Sequence, residues 1–107
     1  MLDANDLVSQ GLLADVLRRQ SKLAEAVELF HKVLEVMPGD VESSIGLSKA
    51  LQEGGKLAEA IGVLREAVRL APANARLRTE ISRLYHASGD RESASREAGK
   101  YRELRRR

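Results

Sequence analysis

The run Lys-Leu-Ala-Glu-Ala occurs at Lys22–Ala26 and again at Lys56–Ala60, 34 residues later. A fixed period of that length marks a helical repeat array, in which each unit buries its apolar face only against a neighbour. Arrays of this kind bind other molecules by shape and surface chemistry. The period therefore points to binding and away from catalysis.

Extending the period along the chain gives three units, 7–40, 41–74 and 75–107, the last ending one residue short. Residues 1–6 are left as the remnant of a preceding repeat or as an N-cap, and the whole, 1–107, reads as a single domain. Each unit carries two apolar patterns at helical spacing. In the first, Leu13, Val16 and Leu17 precede a break at Gln20-Ser21, and Leu23, Ala26, Val27, Phe30, Val33 and Leu34 follow until Pro38-Gly39-Asp40. The second has Ile45, Leu47 and Leu51, a Gly54-Gly55 break, then Leu57, Ala60, Ile61, Leu64, Ala67 and Val68 before Pro72. In the third, Leu77, Ile81, Leu84 and Tyr85 precede Ser88-Gly89-Asp90, and Asp90 is placed to cap a helix running to about Leu104. Asn74 is placed to cap the helix before it, and Asp6 the first one. The pattern predicts an all-α chain of six antiparallel helices in three hairpins, which connections of two to four residues enforce. Small residues at Ala14, Ser48, Ser82, Ala26, Ala60 and Ala94 let the helices approach closely.

Composition agrees with helices. Hydrophobic residues are 43% of the 107 and aromatics only 3%, too few β-branched and ring side chains for a sheet protein. With no cysteine, disulfides and thiolate chemistry are excluded, in a reducing or an oxidising compartment alike. The first ten residues lack a basic start and apolar core, and no apolar run approaches the roughly 20 residues of a membrane span. A cytoplasmic location is expected, with a periplasmic one open for a longer exported protein. Net charge is +2 but unevenly placed: residues 1–74 carry 8 basic and 11 acidic residues, whereas residues 75–107 carry 10 and 5.

These residues resemble the tetratricopeptide repeat, whose 34-residue pattern pairs Leu-small-x-x-Tyr on a first helix with Ala-x-x-x-Phe on a second and a Pro at the end. Leu13-Ala14, Leu17, Ala26, Phe30 and Pro38 match it in the first unit, and Leu47-Ser48, Leu51, Ala60, Leu64 and Pro72 in the second. The third offers Ile81-Ser82, Tyr85 and Ala94 but has Ala98 for the bulky residue, with Tyr101 three positions on. It reads as an atypical terminal repeat that serves as its own polar cap. The family's Trp is replaced by Gln10, Ser44 and Arg78. Leu2-Asp3-Ala4-Asn5-Asp6 is similar to the segment that closes a repeat, with Ala4 where Pro38 and Pro72 stand, so a start inside a longer array and an N-capped start both remain open. The first implies apolar surface on the first helix, at Leu7, Val8 and Leu12.

The resemblance implies a right-handed superhelix whose first helices line a concave groove that receives peptides or partner helices. Helical phase places three rows there: Val8, Gly11, Leu12 and Asp15, with Arg18 or Arg19 at the end; Glu42, Ile45, Gly46, Lys49 and Gln52; and Arg76, Thr79, Glu80, Arg83 and His86. Some family members clamp the terminal carboxylate of chaperones with Lys, Asn and Arg. Here those places hold Gly11, Asp15, Gly46, Arg76 and Glu80, and the acids repel a carboxylate, so chaperone-tail binding is not expected. Gly11 and Gly46 either make room for a bulky partner side chain or allow tight packing within the array.

His31 and His86 sit in different units without thiols or a carboxylate pattern, so neither metal nor cofactor is expected. Gly54-Gly55 lacks the strand and the Lys-Ser/Thr of a phosphate loop, and the carboxylate pairs Asp3/Asp6 and Glu25/Glu28 lie on solvated faces without a cleft. No enzyme is expected. The expectation is a noncatalytic protein- or peptide-binding module, with self-association through its N-terminal edge. The alternative is electrostatic binding of nucleic acid or an anionic surface by the Arg-rich end, Arg102 to Arg107, which is disfavoured for nucleic acid by the scarcity of aromatic surface.

Overall fold

The computed structural model describes residues 4–90, 96–97 and 99. Its helices are α1 (Ala4–Arg19), α2 (Leu23–Val36), α3 (Val41–Glu53), α4 (Leu57–Leu70) and α5 (Ala75–Ser88). The sixth expected helix falls mostly outside the described residues, of which 96, 97 and 99 are helical.

The 34-residue period is a backbone period as well. Each first helix ends in a residue with positive φ: Ser21 at 64°, Gly55 at 79° and Gly89 at 84°. At each end two N–H groups fold back onto the last turn. Ser21 donates to the Arg18 carbonyl and Lys22 to that of Leu17, both at 2.9 Å; Gly55 and Lys56 do the same at 3.0 and 2.8 Å, and Gly89 and Asp90 at 3.0 and 2.8 Å. This paired closure satisfies carbonyls that a helix end otherwise leaves bare. The second helices stop just before proline, which cannot continue them, and the N–H groups of Asp40 and Asn74 then close the turn on the Met37 and Ala71 carbonyls at 3.1 Å each. Asn74 caps α5 as expected, its Oδ1 accepting from the Leu77 N–H at 3.0 Å. Asp40 in the same place caps no backbone N–H; its Oδ2 accepts from Ser43 Oγ at 2.5 Å.

Successive helices pack as neighbours, and in addition α1 touches α3 and α3 touches α5, whereas α2 and α4 do not meet. The layer of first helices is thus the tighter one, and the array is concave on that side. One continuous core runs between the layers, from Ala14, Ala26 and Phe30 through Leu47, Ala60 and Leu64 to Leu77 and Ile81. The close-approach residues Ala14, Ala26 and Ala60 are fully covered, and Ser48 nearly so.

Three expectations need correction. Leu13 and Val16 are half-exposed, whereas Leu47 and Ala50, one period later, are buried; among the described residues α3 has a second helix before it in the stack and α1 has none. Leu7, expected at the surface, is buried, while Val8 and Leu12 are exposed. Asp6 does not cap α1, because the helix begins at Ala4 and Asp6 lies in its first turn.

Candidate functional site

On the concave side, α1 and α3 flank an open cavity of about 330 Å³. Nine of the fourteen residues in the three expected rows line it: Val8, Gly11, Leu12 and Asp15 from α1, Glu42, Ile45, Gly46 and Lys49 from α3, and Arg76 from α5, with both Arg18 and Arg19 at the end of the first row. Gln52, Thr79, Glu80, Arg83 and His86 lie outside it, Glu80 half-buried and the other four exposed. The first two rows converge into a cleft, and the third gives it only Arg76.

Leu7, Phe30, Asp40 and Ser43 also line the cavity, and sequence phase did not assign them to it. Phe30 belongs to α2, in the outer layer, and reaches the groove because Gly46 has no side chain. A Cβ built on Gly46 lies 2.4 Å from Phe30 Cζ and 2.6 Å from Cε1, far inside contact distance. Of the two roles open to Gly46, the structure shows tight packing: the vacancy is filled from within. Gly11 differs, since a Cβ there meets only Ser43 Oγ at 3.6 Å, an ordinary contact. The glycine opposite a bulky second-helix residue was the signal available in the sequence, but it required knowing which helices face each other.

The charges around the cavity are mostly matched. Asp15 Oδ1 accepts from Arg18 at 3.1 Å and its Oδ2 pairs with Arg19 Nε at 3.0 Å. Arg18, with its side chain only 14% exposed, also reaches Glu53 at 2.6 Å and so ties α1 to α3. Arg76 pairs with Glu42 and ties α5 to α3. Lys49 is half-buried at the cavity and, among the described residues, forms no ion pair. The groove stays mixed in charge, as the sequence reading has it: beside the matched pairs, and among the described residues, Lys49 forms no ion pair and Asp40 is held only by the Ser43 hydroxyl.

Outside the groove, the hydrogen bond from Arg69 holds the Glu66 carboxyl below its usual range, and Glu66 in turn raises Arg69. Arg65 donates to the Tyr85 hydroxyl at 3.3 Å, which raises its affinity for the proton. Both histidines and the pair Glu25/Glu28 are exposed. Among the described residues no group of His, Cys, Asp and Glu side chains is arranged to hold a metal ion, and no helix is long and apolar enough to cross a membrane. The cluster Arg102 to Arg107 lies outside the described residues.

A profile described as Tetratricopeptide repeat matches residues 12–75, and a second of the same description matches 51–106. The chain belongs to the tetratricopeptide repeat family. Among solved structures it is similar to a point mutant of MamA, at 27% identity and a TM-score of 0.75 over 95% of this chain and 74% of that one. It is similar also to MamA AMB-1, at 27% identity and a TM-score of 0.76 over 94% of this chain and 60% of that one. A Podosopora anserina putative kinesin light chain with nearly identical TPR-like repeats aligns at 25% identity and a TM-score of 0.77, over 96% of this chain and 56% of that one. The chain thus spans between about half and three quarters of the length of these relatives. No curated protein matches it. As a tetratricopeptide repeat protein it has the fold of an interaction scaffold, a family whose members bind protein partners and are generally noncatalytic.

Proposed function

We propose that this chain is a noncatalytic, cytoplasmic interaction module whose concave α1/α3 cleft docks a peptide or a helix from a partner protein. The unit that binds is the single domain 1–107, with repeats 7–40, 41–74 and 75–107. One observation supports the reading above others: exposed Val8 and Leu12, over the buried Phe30 and Ile45, lie beside Lys49, which forms no ion pair among the described residues. An apolar side chain of the partner fits the floor, where it leaves water, and a partner carboxylate fits Lys49. Gln52, Thr79, Arg83 and His86 continue the groove as a polar track past the cleft.

The test exchanges charge where the fold does not need it. Lys49→Glu is expected to weaken partner binding by about tenfold or more without changing the helical circular dichroism, and Arg83→Glu by less. Unchanged affinity in Lys49→Glu sinks the cleft assignment. The apolar stripe that α1 leaves exposed at Leu13 and Val16 supports a second element of the reading, self-association through the N-terminal edge.

A further inference from the structure

Two charges of opposite sign line the cavity without an ion pair among the described residues. Asp40, half-buried just before α3, accepts from the Ser43 hydroxyl at 2.5 Å and caps no backbone N–H. Lys49 stands later on the same helix. Their neighbours keep the two signs apart. At the Asp40 end Glu42 is matched by Arg76, which leaves one negative charge; at the Lys49 end Arg18 and Arg19 are matched by Asp15 and Glu53, which leaves one positive charge. Between these poles Val8 and Leu12 are 59% and 66% exposed, over the buried Phe30 and Ile45. Val8 is not bare for want of a preceding helix, since Glu42 and Arg76, at the same place one and two periods on, are exposed although a first helix precedes each.

The poles lie nine positions apart in sequence, about 13 Å along a helix axis at roughly 1.5 Å per residue. An extended chain sends alternate side chains to one face and rises about 3.3 Å per residue, so its residues i, i+2 and i+4 point the same way with the outer two about 13 Å apart. A helix of that length, about 10 Å across, fills roughly 1,000 Å³, against the cavity's 330 Å³ or so. We propose that the cleft reads a five-residue extended segment of its partner, with Lys or Arg at one end, a bulky apolar residue in the middle and Asp or Glu at the other end. The cation meets Asp40, the carboxylate meets Lys49, and the middle side chain packs on Val8 and Leu12. The inference rests on the cleft docking put forward above and specifies which peptides are taken. A segment with like charges at both ends sets one of them against its own sign, so the poles select by repulsion as well as attraction.

Amide chemical-shift titrations of the labelled full chain test this with three synthetic peptides, Lys-Ser-Leu-Ser-Glu, Lys-Ser-Leu-Ser-Lys and Glu-Ser-Leu-Ser-Glu, each flanked by Gly-Ser and blocked at both termini. The mixed-charge peptide is expected to bind about tenfold or more tightly than either of the others, with shifts at Val8, Leu12 and Lys49. Lys49→Glu is expected to turn the preference to the two-Lys peptide, and Asp40→Asn to close the gap between the mixed and two-Glu peptides, each variant first shown by circular dichroism to be folded. If Asp40→Asn does not fold, the switch in Lys49→Glu decides alone. Equal binding of all three peptides in the cleft, or tightest binding of a like-charged one by the wild type, overturns the two-pole reading and leaves cleft docking standing. Shifts confined to residues outside the cleft overturn both. No shift with any of the three up to millimolar concentration overturns the five-residue specification, and partner binding by Lys49→Glu, as above, then decides cleft docking by itself.

Discussion

Single residues show where the repeat is obeyed and where it is strained. Ser21 takes the left-handed conformation that Gly55 and Gly89 occupy at the same place in the later hairpins. That conformation costs an L-residue roughly 1–2 kcal/mol, part of which glycine returns as unfolded-state entropy. Ser21→Gly is therefore expected to stabilise the chain by about 0.5–1 kcal/mol, read as a higher urea midpoint; a lower midpoint contradicts the assignment. Gly46 is the converse case. Gly46→Ala gains up to about 1 kcal/mol of helix propensity but drives its methyl into the Phe30 ring, and overpacking of that kind costs about 1–3 kcal/mol. A net loss of stability is expected, partly recovered by Phe30→Leu, since the corresponding residues at the next level are Leu64 and Glu80. Neither residue was fully legible in the sequence. The break at Ser21 was visible but its φ was not, and Gly46 left two roles open until the facing ring was located.

At the scale of helices, the tie between the last described segment and α5 is a buried ion pair. Arg78 reaches Glu97 at 2.5 Å, with side chains 8% and 11% exposed, and its Nε donates to the Pro72 carbonyl at 2.8 Å. Arg78 stands where the family pattern has Trp, and a residue that fails a pattern gives no hint of the partner it takes instead. Glu97→Gln is expected to cost about 3 kcal/mol, because it leaves a buried guanidinium uncompensated, whereas Arg78→Met/Glu97→Leu removes both charges and is expected to cost much less. Thermal melts of the two variants decide this; equal losses contradict it. The exposed Arg69–Glu66 pair behaves differently. Its carboxyl is depressed below 4.5, so its small contribution is present above that pH and fades as pH falls through the lowered value. The helices themselves were legible because periodicity, Pro38, Pro72 and the Gly-Gly break all act locally. The exposure of Leu13 and Val16 was not, since it depends on a helix that does not precede α1 in the structure.

The whole molecule turns a scaffold period into a cleft, the proposed binding surface, through curvature. First helices touch along the array and second helices do not, so the rows that helical phase assigned to one side converge on a cavity. That is why nine of the fourteen residues in those rows meet there. Gln52 lies beyond the end of the cleft, and the third row meets it only at Arg76, which pairs with Glu42 of α3. Phase around one helix cannot show that a second-layer ring supplies the floor or that Asp15 is already neutralised by two arginines. What the cleft offers a partner, on the proposed reading, is thus decided by the assembled layers: apolar contact at Val8 and Leu12, over Phe30 and Ile45, and charge at Lys49. The most direct measurement is an amide chemical-shift titration of the labelled chain with a peptide selected for binding it from a random displayed library. Cleft docking predicts shifts concentrated at Val8, Leu12, Ile45 and Lys49, and their loss in Leu12→Glu/Lys49→Glu. Shifts centred on the outer layer, at Glu25 and Glu59, or undiminished binding by that variant, would contradict it.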